Sequence, residues 1–274
     1  MSQLEATSYH LDTIPVAQPT RAAVLCLPGL FAGAWVFGDL LPLIAARGYP
    51  ASAISYRGHP PLPGLASIGR QSLTDFTDDA CAAARALDRP IVIGHSLGGL
   101  VALLMAGRDL IRAAVLLSPA PPRGISVLSP AILTRMVRYL PAMALSRPFL
   151  PTPSHLDALV LNRVPPTARV AIRDRFVPDS GRAAWEITVG TCKVPPSAVR
   201  VPVFVVGAEH DRTIPADAAR KIARLYHAPF HLAAGHGHFL LSEPGWEAQA
   251  QVILDWIDAL PPDIRDAASE VRHS

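Results

Sequence analysis

Residues 94–98 read GHSLG, a pattern that suits nucleophilic catalysis by the central serine. The pattern matches G-x-S-x-G and lies between an apolar run that predicts a strand, Ile91–His95, and one that predicts a helix, Leu97–Ala106. So tight a turn strains the backbone of the serine, and the flanking glycines leave room for the strand and the helix. We therefore predict Ser96 as a nucleophile at the carboxyl end of the strand, with the N–H of Leu97 meeting a developing oxyanion.

A serine hydroxyl is a weak nucleophile, so Ser96 needs a base and an acid that orients the base. In proteins built around this strand–turn–helix pattern, the acid and then the histidine follow the serine along the chain. Asp211 comes just after the apolar run at residues 201–207, which predicts a strand, and His238 lies in the loop before the last predicted helix. We therefore predict Asp211 as the acid and His238 as the base.

The sequence leaves alternatives for both partners. Asp211 also fits a helix cap or a surface carboxylate, and Glu209 follows the same predicted strand at a position closer to its end. His236 competes directly with His238 because both lie in the stretch GHGH. The position after the preceding predicted strand could also hold an acid, but Ser118 stands there, so that position is excluded.

A second oxyanion donor is expected from the loop that follows the first strong strand. This loop reads LPGLF at residues 27–31, where Gly29 permits a close approach and the N–H of Leu30 is the predicted donor. Phe31 and Trp35 are predicted to line a substrate pocket, with ordinary core packing as the alternative for these aromatic residues.

The histidines and cysteines lack the spacing of a metal site. Four histidines lie between residues 227 and 238, but no Asp or Glu lies among them. The three cysteines are far apart in the sequence and odd in number, which fits a reducing cytoplasm. We therefore expect catalysis without a metal or an organic cofactor.

The elements that must position these residues follow an alternating pattern. Apolar runs alternate with helical patterns over residues 21–118 and again over 201–260. This predicts an α/β fold: a mostly parallel twisted sheet covered by helices on both faces. Proline clusters and apolar helical pieces interrupt the alternation between the two ranges. We therefore predict a core of residues 1–118 and 201–274, with residues 119–200 inserted as a helical lid.

Composition and charge exclude several kinds of protein. The chain has 274 residues, of which 50% are hydrophobic and 17% are charged, so a large buried core is expected rather than disorder. The net charge of +3 comes from scattered arginines and not from a basic stripe, which argues against a nucleic-acid partner. The N-terminus has no secretory signal pattern, and glycines interrupt the uncharged run at residues 90–107. We expect a cytoplasmic protein without an integral membrane span.

Several stretches together resemble the α/β-hydrolase superfamily, in its esterase- and lysophospholipase-like branch with a lid. They are PGLFAGAW, SYRGH, GHSLGGLVA, GAEHDRTIP and GHGHFLLSEPGWE, in this order along the chain. In this family the catalytic histidine commonly stands five residues before a Glu-Pro pair, and His238 stands five residues before Glu243. The resemblance implies a nucleophile, an acid, a base and two oxyanion donors at Ser96, Asp211, His238, Leu30 and Leu97.

Two departures from the family pattern concern the surroundings of these residues. The family often has His-Gly before the oxyanion residue, where this chain has Pro28 and Gly29. It also often has an Asp before Arg-Gly-His, where this chain has Ser55 and Tyr56. Neither change removes a predicted catalytic residue, but both weaken any transfer of substrate identity from the family.

The resemblance implies hydrolysis of a small-molecule carboxylic ester with a hydrophobic acyl or alcohol part, through an acyl-enzyme intermediate. A thioesterase, an acyltransferase or a carbon–carbon bond hydrolase would use the same residues, and a non-catalytic ligand-binding protein could keep the fold. Ser96 argues against the epoxide hydrolases and dehalogenases of this fold, which carry an aspartate nucleophile. The sequence leaves open whether the protein forms a homodimer.

Overall fold

A seven-stranded sheet forms the centre of the computed structural model, which describes residues 8–127 and 134–267. The strands are β1 His10–Ile14, β2 Val24–Leu27, β3 Ala51–Ser55, β4 Ile91–His95, β5 Ala113–Leu117, β6 Val203–Ala208 and β7 Phe230–Ala233. Their order across the sheet is β1-β3-β2-β4-β5-β6-β7, and only β1 runs antiparallel to its neighbour. The mostly parallel sheet predicted from the sequence is therefore confirmed.

Helices cover both faces of this sheet because its central strands are apolar on both sides. In β2, Val24 and Cys26 join one buried cluster, and Leu25 and Leu27 join the other. Five of these helices are α1 Leu40–Ala46, α2 Leu73–Ala86, α3 Leu97–Ala106, α7 Ala216–Leu225 and α8 Trp246–Asp258. Helices α1 and α8 pack in the first cluster, and α2, α3 and α7 pack in the second.

The observed elements differ from the predicted ones mainly at their ends. The predicted helix at residues 35–47 is divided into a 3-10 turn, Ala34–Phe37, and the helix α1. The helix α2 begins after Ser72, whose hydroxyl accepts a bond from the N–H of Asp75 while the Asp75 carboxylate accepts one from the N–H of Ser72. Strand β1 was not predicted, because it is a partly exposed edge strand without a continuous apolar run.

Residues 119–200 lie between two strands that are direct neighbours in the sheet, β5 and β6. The described parts of this interval contain no strand, and they form α4 Leu140–Ala144, α5 Pro166–Arg173 and α6 Gly181–Thr188 with shorter helical turns. The turns are Val137–Tyr139, Pro153–His155, Leu156–Val160 and Pro196–Ala198. Residues 131–133 of the helical piece predicted at residues 131–145 lie outside the described residues. The rest of this piece contains the turn Val137–Tyr139 and the helix α4.

The uncharged run at residues 90–107 divides into β4, the turn at Ser96 and α3, as the sequence predicts. Within residues 8–127 and 134–267, no helix combines the length and the apolar character needed to span a membrane.

Candidate active site

Ser96 occupies a strained turn between β4 and α3. Its φ of 54° and ψ of −117° lie in a region that residues with a side chain rarely adopt. Backbone hydrogen bonds hold this conformation: the N–H of Ser96 donates to the carbonyl of Leu117 at 3.0 Å, and its carbonyl accepts from Gly99 and Ala120 at 3.0 and 2.8 Å. The turn therefore fixes Ser96 at the carboxyl end of β4.

The glycines of the GHSLG stretch are required by close packing. A Cβ atom on Gly94 would lie 2.2 Å from the carbonyl oxygen of Gly98, and one on Gly98 would lie 2.1 Å from the carbonyl oxygen of Leu27. Both distances are far below van der Waals contact, and both contacted oxygen atoms belong to the backbone. The close approach of β2, β4 and α3 at this turn thus explains the two glycines of the motif.

Asp211 and His238, predicted as acid and base, form a direct hydrogen bond. Oδ2 of Asp211 lies 2.8 Å from Nδ1 of His238, and both side chains are buried. The other carboxylate oxygen, Oδ1, accepts the backbone N–H groups of Thr213 and Ile214 at 2.8 and 2.7 Å. These contacts hold the carboxylate as an acceptor, so Nδ1 of His238 carries a proton and Nε2 is left to act as a base.

The alternative residues make other contacts. Glu209 accepts the N–H of Gly235 at 2.8 Å with a half-exposed side chain. Nδ1 of His236 lies 3.4 Å from Oε2 of Glu243, and burial lowers the pKa of His236. Among the described residues, neither Glu209 nor His236 takes part in the Asp211–His238 hydrogen bond. The structure therefore brings together the pair that the sequence favours.

His95, which precedes Ser96, supports the backbone of His238. Its Nε2 lies 2.8 Å from the carbonyl oxygen of His238, and because a carbonyl only accepts, this nitrogen carries a proton. Burial, followed by the nearby charge of His238, lowers the pKa of His95 to about 3. His95 is therefore a neutral donor that fixes the loop carrying His238. No sequence signal marks His95, because its position between the glycine and the serine of the motif accepts many residue types.

The loop after β2 lies directly against Ser96. A Cβ atom on Gly29 would meet Cβ of Ser96 at 3.0 Å and its Oγ at 3.5 Å. Leu30 in this loop and Leu97 at the start of α3 line the same cavity as Ser96. Neither backbone N–H donates to another group in the described part of the chain. Both predicted oxyanion donors are thus next to Ser96 and available to a ligand.

A cavity of about 180 Å³ opens over Ser96 and His238. Phe31 lines it, as predicted. Trp35 does not: its ring lies behind the wall, 5.5 Å from the ring of Phe176 and 5.9 Å from that of Phe239, which both face the cavity. Most of the apolar lining comes from residues 127–187, namely Val127, Met136, Val137, Leu140, Met143, Phe149, Pro151, Leu156, Leu159, Val160, Phe176, Ala184 and Ile187.

A polar pair that the sequence analysis missed also lines this cavity. The hydroxyl of Tyr139 lies 2.8 Å from Nδ1 of His155 and accepts the N–H of Thr152 at 2.9 Å. No local motif marks these residues, because they come together only through the folding of residues 134–155.

Within the described residues, no group of three or more His, Cys, Asp or Glu side chains is arranged to hold a metal ion.

Residues 24–250, most of the chain, match a family described as the alpha/beta hydrolase family. The chain belongs to this family. The resemblance drawn from the sequence motifs is thereby confirmed for the superfamily, and the seven-stranded sheet with helices on both sides has the corresponding fold.

Solved structures of several proteins share this fold. A monoacylglycerol lipase from Paleococcus ferrophilus gives a TM-score of 0.71 at 22% identity, covering 90% of this chain and 97% of the lipase. A thermophilic esterase from Thermogutta terrifontis gives 0.68 at 18% identity, covering 91% and 93%. An esterase from Rhodococcus gives 0.70 at 16% identity, covering 92% and 95%. At these identities the likeness concerns the fold alone. No curated protein sequence matches the chain significantly.

Proposed function

We propose that this protein is a serine esterase that cleaves carboxylic esters with a hydrophobic acyl or alcohol part. The observation that carries the proposal is the hydrogen bond between Asp211 and His238, at 2.8 Å, beside a strained Ser96 in one apolar cavity. The esterase and lipase names of the three structural neighbours agree with this proposal.

In the first step, Nε2 of His238 takes the proton of Ser96 as the Oγ atom attacks the ester carbonyl carbon. The N–H groups of Leu30 and Leu97 stabilise the negative charge that forms on the carbonyl oxygen. Asp211 keeps the proton on Nδ1 of His238 and stabilises the imidazolium. The tetrahedral intermediate then collapses, and His238 passes its proton to the leaving alcohol, which gives the acyl-enzyme.

In the second step, His238 removes a proton from a water molecule, and the resulting hydroxide attacks the acyl carbon. The same two backbone N–H groups stabilise the second oxyanion. When the intermediate collapses, the bond to Oγ breaks, Ser96 regains its proton from His238 and the carboxylic acid leaves. The reaction needs only groups that the chain itself supplies.

The lining of the cavity supports a hydrophobic substrate. Apolar residues, among them leucines, methionines and phenylalanines, form most of the wall, so an alkyl or aryl group gains free energy by leaving water. We also propose that residues 119–200 act as a lid, since their described parts supply most of this wall and insert between adjacent strands. A lid of this kind would enclose the hydrophobic part of the substrate in the cavity and remove it from bulk water.

The proposal is tested with p-nitrophenyl esters of increasing acyl length. We expect hydrolysis by the wild type, with a higher kcat/KM for longer alkyl chains than for acetate. Ser96→Ala should lower kcat by a factor on the order of 10⁶, the usual cost of removing a triad nucleophile. Ser118→Ala is the matched control: its buried hydroxyl has no hydrogen-bond partner among the described residues, and its removal should leave kcat unchanged.

The other outcomes separate the related reactions. Faster turnover of thioesters than of the matching esters would assign the protein to the thioesterases, and acyl transfer to an added alcohol would assign it to the acyltransferases. A folded protein that reacts with a fluorophosphonate but cleaves no ester would indicate another serine-dependent reaction, such as carbon–carbon bond hydrolysis. A folded protein that does neither would contradict the proposal.

A further inference from the structure

The loop that carries Leu30 contains a second strained residue, Phe31. Its φ of 70° lies in the left-handed region, which costs free energy for a residue with a side chain. Two hydrogen bonds hold it there: its N–H donates to Oδ2 of Asp179 at 2.7 Å, and its carbonyl accepts the N–H of Val177 at 3.0 Å. Both partners belong to the inserted residues 119–200. The inserted segment therefore sets the backbone next to the proposed oxyanion donor.

Asp179 is buried and fully engaged in hydrogen bonds. Its Oδ2 atom accepts from Phe31 and lies 3.1 Å from Nε2 of His59, and its Oδ1 atom accepts the N–H of Ser180 at 2.6 Å. Its backbone pairs with Phe149 through two hydrogen bonds of 3.0 and 3.1 Å. An aspartate held on so many sides is a fixed acceptor for the N–H of Phe31.

His59 supplies the positive charge that a buried carboxylate requires. Its Nδ1 lies 3.1 Å from the carbonyl oxygen of Arg57, and its Nε2 faces Asp179. A carbonyl and a carboxylate only accept, so both ring nitrogens of His59 carry protons. Burial lowers the pKa of His59, but the charge and the hydrogen bond of Asp179, together with the backbone hydrogen bonds of Arg57 and Tyr56, raise it by more, so the net pKa is raised. The side chains of His59 and Asp179 are 1% and 2% exposed, so water does not replace either partner.

We propose that Asp179, with His59 as its counterion, is a positioning residue for the oxyanion site. It locks Phe31 in its left-handed conformation and thereby keeps the N–H of the adjacent Leu30 aimed at the reacting carbonyl oxygen. The inference rests on the proposed function, because Leu30 has this role only if Ser96 forms an acyl-enzyme. Through Asp179, the inserted segment of residues 119–200 then forms part of the active site as well as a cover over it.

Asp179→Ala is a suitable perturbation because it removes both carboxylate oxygens, so the N–H groups of Phe31, His59 and Ser180 all lose their acceptor. Asp179→Asn would not serve, because its amide oxygen can stay at the Oδ2 position and keep the bond to Phe31. His59→Gln is milder, since a glutamine amide still donates to Asp179 and leaves its contact with Phe31 in place. Asp157→Ala is the matched control, because Asp157 pairs with Arg173 within the inserted segment.

The assay measures kcat and KM for the best ester, together with the inhibition constant of a trifluoromethyl ketone. This inhibitor forms a tetrahedral oxyanion on the serine, so its affinity reports the oxyanion site and not general binding. For Asp179→Ala we expect kcat to fall about 10- to 100-fold, the ketone to bind weaker by a similar factor, and KM to stay within about threefold. His59→Gln should show a smaller loss of the same kind, and Asp157→Ala should show none. Titration with a fluorophosphonate counts the competent molecules in each sample.

Several results would overturn the positioning role. A folded Asp179→Ala protein with kcat and ketone affinity within about twofold of wild type would do so, and so would a loss confined to KM. Failure of both Asp179→Ala and His59→Gln to fold would assign the pair to the stability of the fold and reject the positioning role. The proposed function is tested separately: a wild type without hydrolysis or labelling removes both ideas, whereas an active wild type with an unaffected Asp179→Ala overturns this inference alone.

Discussion

Asp211→Asn tests the orientation of His238 without changing the shape of the site. Oδ1 of Asp211 accepts two backbone N–H groups, from Thr213 at 2.8 Å and Ile214 at 2.7 Å. In the variant the amide oxygen must keep this position, since an amide nitrogen there would face two donors. The amide nitrogen therefore faces Nδ1 of His238, where Oδ2 now lies at 2.8 Å. That nitrogen must then accept, so the proton of His238 moves to Nε2, which can no longer take the proton of Ser96.

The size of the effect follows from this change of tautomer. The corresponding substitution in serine proteases keeps the geometry and lowers kcat by about 10⁴, which corresponds to ~5 kcal/mol of activation free energy. We expect a loss of similar order here, because both carboxylate oxygens of Asp211 are engaged in hydrogen bonds, Oδ1 with two backbone N–H groups and Oδ2 with His238. KM should change little, since Asp211 lies behind His238 and does not line the cavity.

The assay is steady-state hydrolysis of the best p-nitrophenyl ester at saturating concentration, with thermal unfolding to confirm the fold. Glu209→Gln is the matched control: Glu209 follows the same strand but bonds to Gly235, so this variant should keep kcat within about threefold. An Asp211→Asn protein that is folded and retains more than about a tenth of wild-type kcat would refute the proposed role of Asp211.

Three further outcomes are expected. In ester hydrolysis, His238→Ala should lose nearly all activity, while His236→Ala should keep at least about a tenth, and the reverse ranking would show that the base was misassigned. Gly98→Ala should give little soluble protein on expression, because its Cβ would lie 2.1 Å from the carbonyl oxygen of Leu27; a normal yield would contradict this. Burial raises the pKa of Glu243 above its ordinary value of 4.5, so ionisation of this carboxyl opposes folding and the wild type loses stability as pH rises above that value. The Tm of Glu243→Gln relative to wild type should therefore increase as pH rises above 4.5, and a constant difference would contradict this.

The sheet and the proposed catalytic residues were predictable because their signals are local. Strands β4 and β5 are continuous apolar runs, as strands buried on both faces must be. Ser96 stands between such a run and a helix, and the glycines of its motif are explained by contacts below 2.5 Å that any side chain would make. Asp211 follows the end of β6, and the order of the three residues along the chain then indicated His238.

The remainder depends on contacts between distant parts of the sequence. His59 and Asp179 are separated by 120 positions, and Asp179 lies in a stretch, VPDSG, that resembles an ordinary turn. Trp35 was expected in the pocket because aromatic spacing does not reveal which side of a wall a ring occupies; its ring packs behind Phe176 and Phe239. Tyr139 and His155 likewise meet only when residues 134–155 fold over the sheet.

The most direct test of the central claim is the identification of the residue that a fluorophosphonate modifies. The native protein is treated with the reagent and digested, and the modified peptide is located by mass spectrometry, with Ser96→Ala treated in parallel. We expect one modification, on Ser96, which is absent from Ser96→Ala and is formed together with the loss of ester hydrolysis. Modification of another residue, or an active esterase that the reagent leaves unmodified, would contradict the claim that Ser96 is the nucleophile.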